Sequence, residues 1–305
     1  MIRRTRRAYA GNNVHVVEIA LDAQPRRSAA QRYSPRPLTE GERWTAEALL
    51  ELRRGGYRAH AWLRFLRSSL ERSRATRGSR PRLARQSRRW GAYGGLGWLA
   101  ACRASRDIAE IKPRLLPGLA WWLVVWQMLD WHLGMAEGGD GQPRDRLARA
   151  DTVTLARFWL VPSVPALARS PTGLPAVILI AGVTDWLDGA LARRDGRTRL
   201  GRDLDTTADL AFLTTAALSA RASGRITRLG FRALAGRYAI GVAVSLAAVF
   251  GRARRPAIRA RPWGALPRTA GLVMSTAGLA RTGTAVLLCG RLVPPHSTAG
   301  HLSPA

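Results

Sequence analysis

Lysine is almost missing from this chain. Lys112 is the only one, so arginine supplies 48 of the 49 basic residues. A skew that uniform looks like a coding bias toward Arg and Ala rather than a face built for phosphate. Cysteine is scarce too: Cys102 and Cys289 lie far apart and form no CxxC pair, which argues against a disulfide framework and a cysteine-based metal site. The opening residues, MIRRTRRAYAGNNVHVVEI, hold no sustained apolar run, so no cleavable signal peptide is expected. Acidic residues number only 20, leaving a formal net charge of +29. Such a charge points to an anionic partner, either nucleic acid or a membrane surface. No zinc-finger spacing or other nucleic-acid signature accompanies it, so no nucleic-acid partner is expected.

What is present is uneven along the 305 residues. Residues 1–38 mix Arg, Ser and Pro and read as a disordered basic tail, with Val14–Leu21 as a short strand or helix. Residues 39–85 read as a basic amphipathic helical arm. Thr39 stands three residues before Glu42, a capping-box spacing, and Gly55 and Gly56 break the first helix. Trp62, Phe65, Leu66 and Leu70 then fall at helical spacing among Arg58, Arg64, Arg67, Arg72 and Arg74. That helix suits a membrane interface, and equally a solvated helix packed on the chain itself.

Residues 86–136 read as a transmembrane hairpin. LLPGLAWWLVVWQMLDWHLGM, residues 115–135, has the length a bilayer core needs, about 20 residues. The Gly-rich stretch at 88–104 is the weaker partner. Asp130 and His132 are two residues apart and share no helix face, which favours an interfacial or helix-end role over chemistry. Residues 151–295 read as the core, with helices near 152–169, 172–194, 203–221, 231–250, 264–280 and 281–295. Residues 296–305 read as a disordered tail. The expected fold is therefore all-α, a polytopic membrane bundle with a six-helix core and an extra N-terminal hairpin. Arg193, Arg194, Arg197, Arg199 and Arg202 join the second and third core helices, and Arg252, Arg254, Arg255, Arg259 and Arg261 the fourth and fifth. These loops share one side if every helix spans, and that side is expected to be cytoplasmic. The loop with Arg221, Arg225 and Arg228 then falls outside, against the rule; the hairpin keeps the Arg-rich arm inside.

The informative stretch is DWLDGALARRDGRTRLGRDLDTTAD, residues 185–209. Asp185 and Asp188 are three apart and share a helix face; Asp205 and Asp209, four apart, share another. A turn between them would bring four carboxylates to one end of two helices. Like charges gathered in a low dielectric need a counter-charge. Divalent cations supply one, and an all-oxygen set suits Mg²⁺ or Mn²⁺. Gly189 and Ala192 leave room for a phosphate ligand, and Arg193 can neutralise one. These parts suit metal-assisted phosphoryl transfer. The plainer alternative is a surface loop whose Asp residues pair with the abundant Arg. The flanking apolar helices weigh against it, because ionisable groups at membrane depth default to functional sites.

The stretch resembles the signature of the CDP-alcohol phosphatidyltransferases, D-x2-D-G-x2-A-R-x8-G-x3-D-x3-D. Asp185, Asp188, Gly189, Ala192, Arg193, Gly201, Asp205 and Asp209 match in type and order, while the spacer Arg194–Leu200 is one residue shorter. Upstream, Asp151, Thr154 and Arg157 fit an N-x2-T-x2-R element with Asp in place of Asn, and Gly264–Thr269 faintly resembles a Gly-basic-Thr element. The resemblance covers residues 151–290. It implies an integral cell-membrane enzyme of phospholipid biosynthesis, its site facing the cytoplasm. Such an enzyme transfers a phosphoalcohol group from a CDP-alcohol to an acceptor alcohol and releases CMP. CDP-diacylglycerol is the expected donor; the acceptor is an alcohol or polyol phosphate. By position, Asp185, Asp188, Asp205 and Asp209 would hold two Mg²⁺ or Mn²⁺ ions, and Asp209 would be the general base. Thr154, Asp188, Gly189, Ala192, Arg193 and Gly201 would bind the CDP. Arg232, Arg237 and Arg268 are candidates for an acceptor phosphate. Membrane lipids and a second copy of the chain complete the expected partners. The rival reading is an inactive membrane scaffold or lipid-binding protein with an Arg-rich arm.

Overall fold

A helix starts where its orphan N–H groups find an acceptor, and the first element shows this directly. In the computed structural model, Thr39 and Glu42 form the capping box in both directions at the head of α1 (Glu40–Arg54). The structure describes residues 39–105, 114–138, 140–250, 258–259, 266–290 and 296–297. The expected basic tail with Val14–Leu21, most of the C-terminal tail, Gly264, and the loop arginines Arg252, Arg254, Arg255 and Arg261 lie outside the described residues.

The described residues, from Thr39 onward, fall in one compact unit. After α1 come α2 (Ala59–Ser79), α3 (Pro81–Ala104) and α4 (Leu115–His132), then a 3-10 turn at Leu133–Met135. The remainder is α5 (Arg149–Leu160), a single turn α6 (Ser163–Ala166), α7 (Gly173–Asp195), α8 (Arg199–Ala222), α9 (Arg228–Phe250), α10 (Leu266–Thr276) and α11 (Ala280–Cys289). A two-residue antiparallel ladder pairs Ile258–Arg259 with His296–Ser297. The all-α expectation holds. The expected helix at 152–169 is interrupted, because Pro162 and Pro165 lack the N–H that would continue it.

Among the described residues, one helix, α7, is long and apolar enough to cross a membrane by length and composition. The six-span core is supported only that far. α8 has the length, with 24 residues, but brings Arg199, Arg202, Asp203, Asp205, Asp209 and Arg221. α10 and α11 have 11 and 10 residues. At about 1.5 Å per residue each reaches roughly half of a 30 Å bilayer core. They form a tight hairpin that turns at Gly278, whose φ of +99° suits glycine.

α8 is the spine of the fold. Leu200, Leu204 and Ala208 pack with Leu83, Leu129, Leu155 and Phe158 in one cluster. Phe212, Ala216 and Ala220 pack with Leu174, Ile178 and Leu272 in the other. The Gly-rich part of α3 has a packing role. A Cβ at Gly94 would overlap the Trp122 ring, and one at Gly118 would overlap Trp98. The indoles use the close approach: Trp122 Nε1 donates to the Gly91 carbonyl (2.8 Å), Trp159 Nε1 to that of Gly94 (3.0 Å) and Trp121 Nε1 to that of Phe158 (2.9 Å). A buried indole N–H usually finds such an acceptor.

The N-terminal arm packs onto this core. The Gly41 N–H donates to the buried Glu137 carboxylate (3.2 Å), and Arg199 pairs with Glu42 (3.4 Å). Asp130 is also structural. It is buried, paired with Arg77 (2.9 Å), and accepts from Ser73 Oγ (3.2 Å), which ties α4 to α2. Asp130→Asn is expected to cost about 1–3 kcal/mol, since Arg77 and Ser73 lose their charged acceptor. A lower thermal midpoint of the purified protein checks this; an unchanged midpoint would remove Asp130 from the list of structural ties.

Candidate functional site

Three residues at intervals of three, Asp151, Thr154 and Arg157, share one face of α5, and all three are buried. That face looks onto α7 and α8, which carry the acidic pairs. Between α7 and α8 the chain reverses at Gly196, whose φ of +83° explains the glycine. Thr198 then caps α8: its Oγ1 accepts from the Gly201 N–H (2.8 Å) and donates to Asp151 Oδ1 (2.8 Å). The other Asp151 oxygen accepts from the Ala148 N–H (3.0 Å), at the start of α5. One carboxylate therefore clasps the beginnings of two helices.

Gly201 completes the clasp, because a Cβ there would overlap Asp151 Oδ1 and Thr198 Oγ1. Overpacking of this kind costs about 1–3 kcal/mol. Gly201→Val is thus expected to lower the thermal midpoint and to loosen the start of α8, seen as faster amide exchange at residues 199–204. Unchanged exchange would contradict the clasp.

The clasp sets the register of the acids above it. Arg157 Nη2 faces Asp185 (3.3 Å) and, closer, Asp188; Nη1 faces Asp205 (3.0 Å) and, closer, Asp209. Thr154 Oγ1 adds a hydrogen bond to Asp188 (2.8 Å). The site is graded in exposure. The side chains of Arg157 and Asp188 are 2% and 7% exposed, those of Asp209 and Asp185 28% and 29%, and that of Asp205 47%. The cluster thus opens outward past Asp205.

All four predicted carboxylates converge. Asp185, Asp205 and Asp209 present oxygens within 4.8 Å of one another, while Asp188 turns inward to Thr154 and Arg157. Arg157 and, at the edge, Arg268 face four carboxylates, which leaves an excess of negative charge in a partly enclosed place. An oxygen-only set of this shape and sign fits a hard divalent cation.

Of the other predicted residues, Thr154 is in the cluster. Gly189, Ala192 and Arg193 continue α7 beyond Asp188, with Arg193 exposed. A Cβ at Gly189 would approach only the Arg193 guanidinium (3.3 Å), so the helix surface is open there. Gly201 lies at the clasp, beside the acids rather than among them. Arg268 lines a small crevice with Asp185, Asp209, Gly182 and Thr269, and hydrogen-bonds Tyr238 (3.1 Å). Arg232 is exposed on α9. Arg157 is the functional residue that sequence reasoning noticed without grasping its role. The signal was its place three residues after Thr154, on the same helix face as Asp151 and Thr154.

Residues 147–294 match the family model CDP-alcohol phosphatidyltransferase, just under half of the chain. The resemblance drawn from residues 151–290 is thereby borne out, and the four aspartates and Arg157 all fall inside the matched stretch. That family transfers a phosphoalcohol group from a CDP-alcohol to an acceptor alcohol, generally with a divalent metal, and is typically integral to membranes. No curated protein and no solved structure matches the chain.

Proposed function

We propose that this chain is a CDP-alcohol phosphatidyltransferase that takes its phosphatidyl group from CDP-diacylglycerol and releases CMP. The observation that carries the reading is the convergence of Asp185, Asp188, Asp205 and Asp209 on the buried Arg157, at the open end of α5, α7 and α8. Bound Mg²⁺ or Mn²⁺ would supply charge stabilisation to the diphosphate and its leaving group. Asp185, Asp205 and Asp209 would hold it, with Asp188 completing the set. Thr154 and Arg157 orient Asp188 through one hydrogen bond and one ion pair. Arg157 keeps the Asp209 carboxylate fixed from one side, leaving its exposed side free for an acceptor hydroxyl. Asp209 takes the proton from that hydroxyl as it attacks the phosphorus. Gly189, Ala192, Arg193 and Gly201 flank the open surface where the CDP moiety would lie.

A lipid donor fits the outer face of α7. Leu179, Ile180, Val183, Trp186 and Leu187 are exposed at helical spacing, while Leu174, Val177, Ile178, Ala181 and Asp188 are buried on the other side. An apolar stripe of that length suits acyl chains better than water. The carboxylates belong on the cytoplasmic side, together with Arg193, Arg194 and Arg197 beside them.

The test is an acceptor screen on membranes holding the protein, with labelled CDP-diacylglycerol, Mg²⁺ or Mn²⁺, and glycerol 3-phosphate, inositol phosphate, other polyol phosphates and phosphatidylglycerol. A labelled lipid product that appears with one acceptor class is expected. No product with any acceptor, and no CMP release, would leave the scaffold reading in its place.

A further inference from the structure

Away from the carboxylates, α2, α3 and α4 line an open cleft of about 790 Å³. It lies outside the stretch that matches the family. Its lining divides in two. Arg77, Arg85 and Arg88 form the charged part; Pro81, Ala84 and Trp126 form the apolar part; Asp130 contributes at the base. Asp130 holds Arg77 in place through one nitrogen (2.9 Å). A guanidinium has five N–H donors, so that pair leaves others available. Arg85 and Arg88 stand three apart on the same face of α3, both exposed, and neither pairs with a carboxylate among the described residues. Three arginines against one aspartate leave the cleft with two net positive charges.

The apolar part is shaped as deliberately. A Cβ at Gly91, one turn beyond Arg88, would sit 2.7 Å from the Trp126 ring, so glycine lets the indole lie flush on α3. The Trp126 Nε1–H is buried and has no acceptor among the described residues. The cleft also sits at a boundary in α3. Its first turns carry Arg82, Arg85, Arg88 and Arg89, and from Trp90 to Cys102 it carries no charge. Outward-facing Tyr93, Leu96 and Leu99 on α3, and Leu116, Leu123 and Val124 on α4, continue the apolar side. A ligand seated here meets cations at one end and hydrocarbon at the other.

We propose that this cleft binds the headgroup of an anionic phospholipid, with Arg77, Arg85 and Arg88 on the phosphate and Trp126 against the glycerol and upper acyl chain. Arginine forks suit phosphate oxygens, and the indole suits the level where headgroup gives way to hydrocarbon. The lipid is a resident of the N-terminal helices and separate from the transferred substrate. The site does not depend on the transferase reading.

The experiment uses the full chain in detergent and a short-chain labelled phosphatidylglycerol as probe, with phosphatidylcholine of the same chains, glycerol 3-phosphate and inorganic phosphate as competitors. Arg85→Gln/Arg88→Gln is compared with Arg43→Gln/Arg54→Gln, which removes the same charge from exposed positions on α1. The first pair is expected to weaken the probe at least about tenfold, since the phosphate loses the charge-assisted hydrogen bonds of two guanidinium groups. The second pair is expected to bind as the parent does. Arg85→Lys/Arg88→Lys, which keeps the charge and loses the fork, is expected to fall between, and carries the test should the glutamine pair fail to fold. Equal binding by the cleft and control pairs would overturn the proposal. So would displacement by inorganic phosphate or glycerol 3-phosphate at concentrations where phosphatidylcholine does nothing, which would mark a soluble-phosphate site.

Discussion

Asp209→Asn is expected to lower CMP release from CDP-diacylglycerol by about 10²–10⁴-fold, the usual worth of a positioned general base. The amide keeps the shape of the side chain and still offers one oxygen to Arg157 and to a cation. It loses the ability to take the acceptor proton. Donor binding should therefore remain largely intact, and the loss should fall on kcat rather than on KM for the donor. Asp205→Asn makes the informative comparison. Asp205 is the most exposed of the four and also faces Arg157 (3.0 Å), but has no assigned proton. Its loss is expected to show as a higher metal requirement, recovered in part by more Mn²⁺. Asp209→Asn should not be recovered that way. Full activity of Asp209→Asn would remove the base from the mechanism.

Arg157→Met is expected to be the most disruptive single change. The side chain is 2% exposed and reaches all four carboxylates. Its removal leaves four acids facing one another across α5, α7 and α8, with only Arg268 at the edge of the group beside Asp185 and Asp209. Breaking a buried pair from one side costs about 3–5 kcal/mol. Three of these acids are partly open to solvent, which lowers the cost toward about 2–4 kcal/mol. The sign of the metal response follows from the same charges. Mn²⁺ should raise the thermal midpoint of Arg157→Met more than that of the parent, because the cation then supplies compensation that Arg157 otherwise shares. An equal metal shift in the two proteins would mean that Arg157 and the metal do not act on the same carboxylates.

The acidic site was legible because its periods are those of a helix. Intervals of three and four at Asp185, Asp188, Asp205 and Asp209 can only converge if two helices meet, and Gly196 with its positive φ is where they turn. Arg157 was visible at the right interval from Thr154, yet its role depended on how deeply α5 inserts between α7 and α8. That insertion is a matter of tertiary packing. Gly201 has a packing use that its place in the motif does not reveal: it admits the Asp151–Thr198 clasp. The capping box at Thr39 and Glu42 was readable from spacing alone.

Among the described residues only α7 passes as a span by length and composition, and α8 shows why its neighbours do not. Hydropathy averages the two faces of a helix, and α8 carries buried Leu204, Ala208 and Phe212 on the same cylinder as exposed Arg202 and Asp203. A helix that serves as both spine and active-site wall does not read as a uniform apolar run. The Gly-rich part of α3 posed the opposite problem. Its glycines weaken any propensity score, but they admit the rings of Trp122 and Trp126. The spacing of Asp130 and His132 favours an interfacial or helix-end role over chemistry, and the Arg77–Asp130 pair supplies a structural use for the aspartate near the end of α4.

CMP release from CDP-diacylglycerol by membranes containing the protein is the most direct measurement, made with Mg²⁺ or Mn²⁺, after chelation by EDTA, and with Asp209→Asn in parallel. Acceptor-dependent CMP release that vanishes on chelation, returns with the metal and is absent from Asp209→Asn is the expected result. Failure of the parent protein to release CMP with any acceptor, or equal release by Asp209→Asn, would contradict the assignment of these four aspartates to phosphoryl transfer.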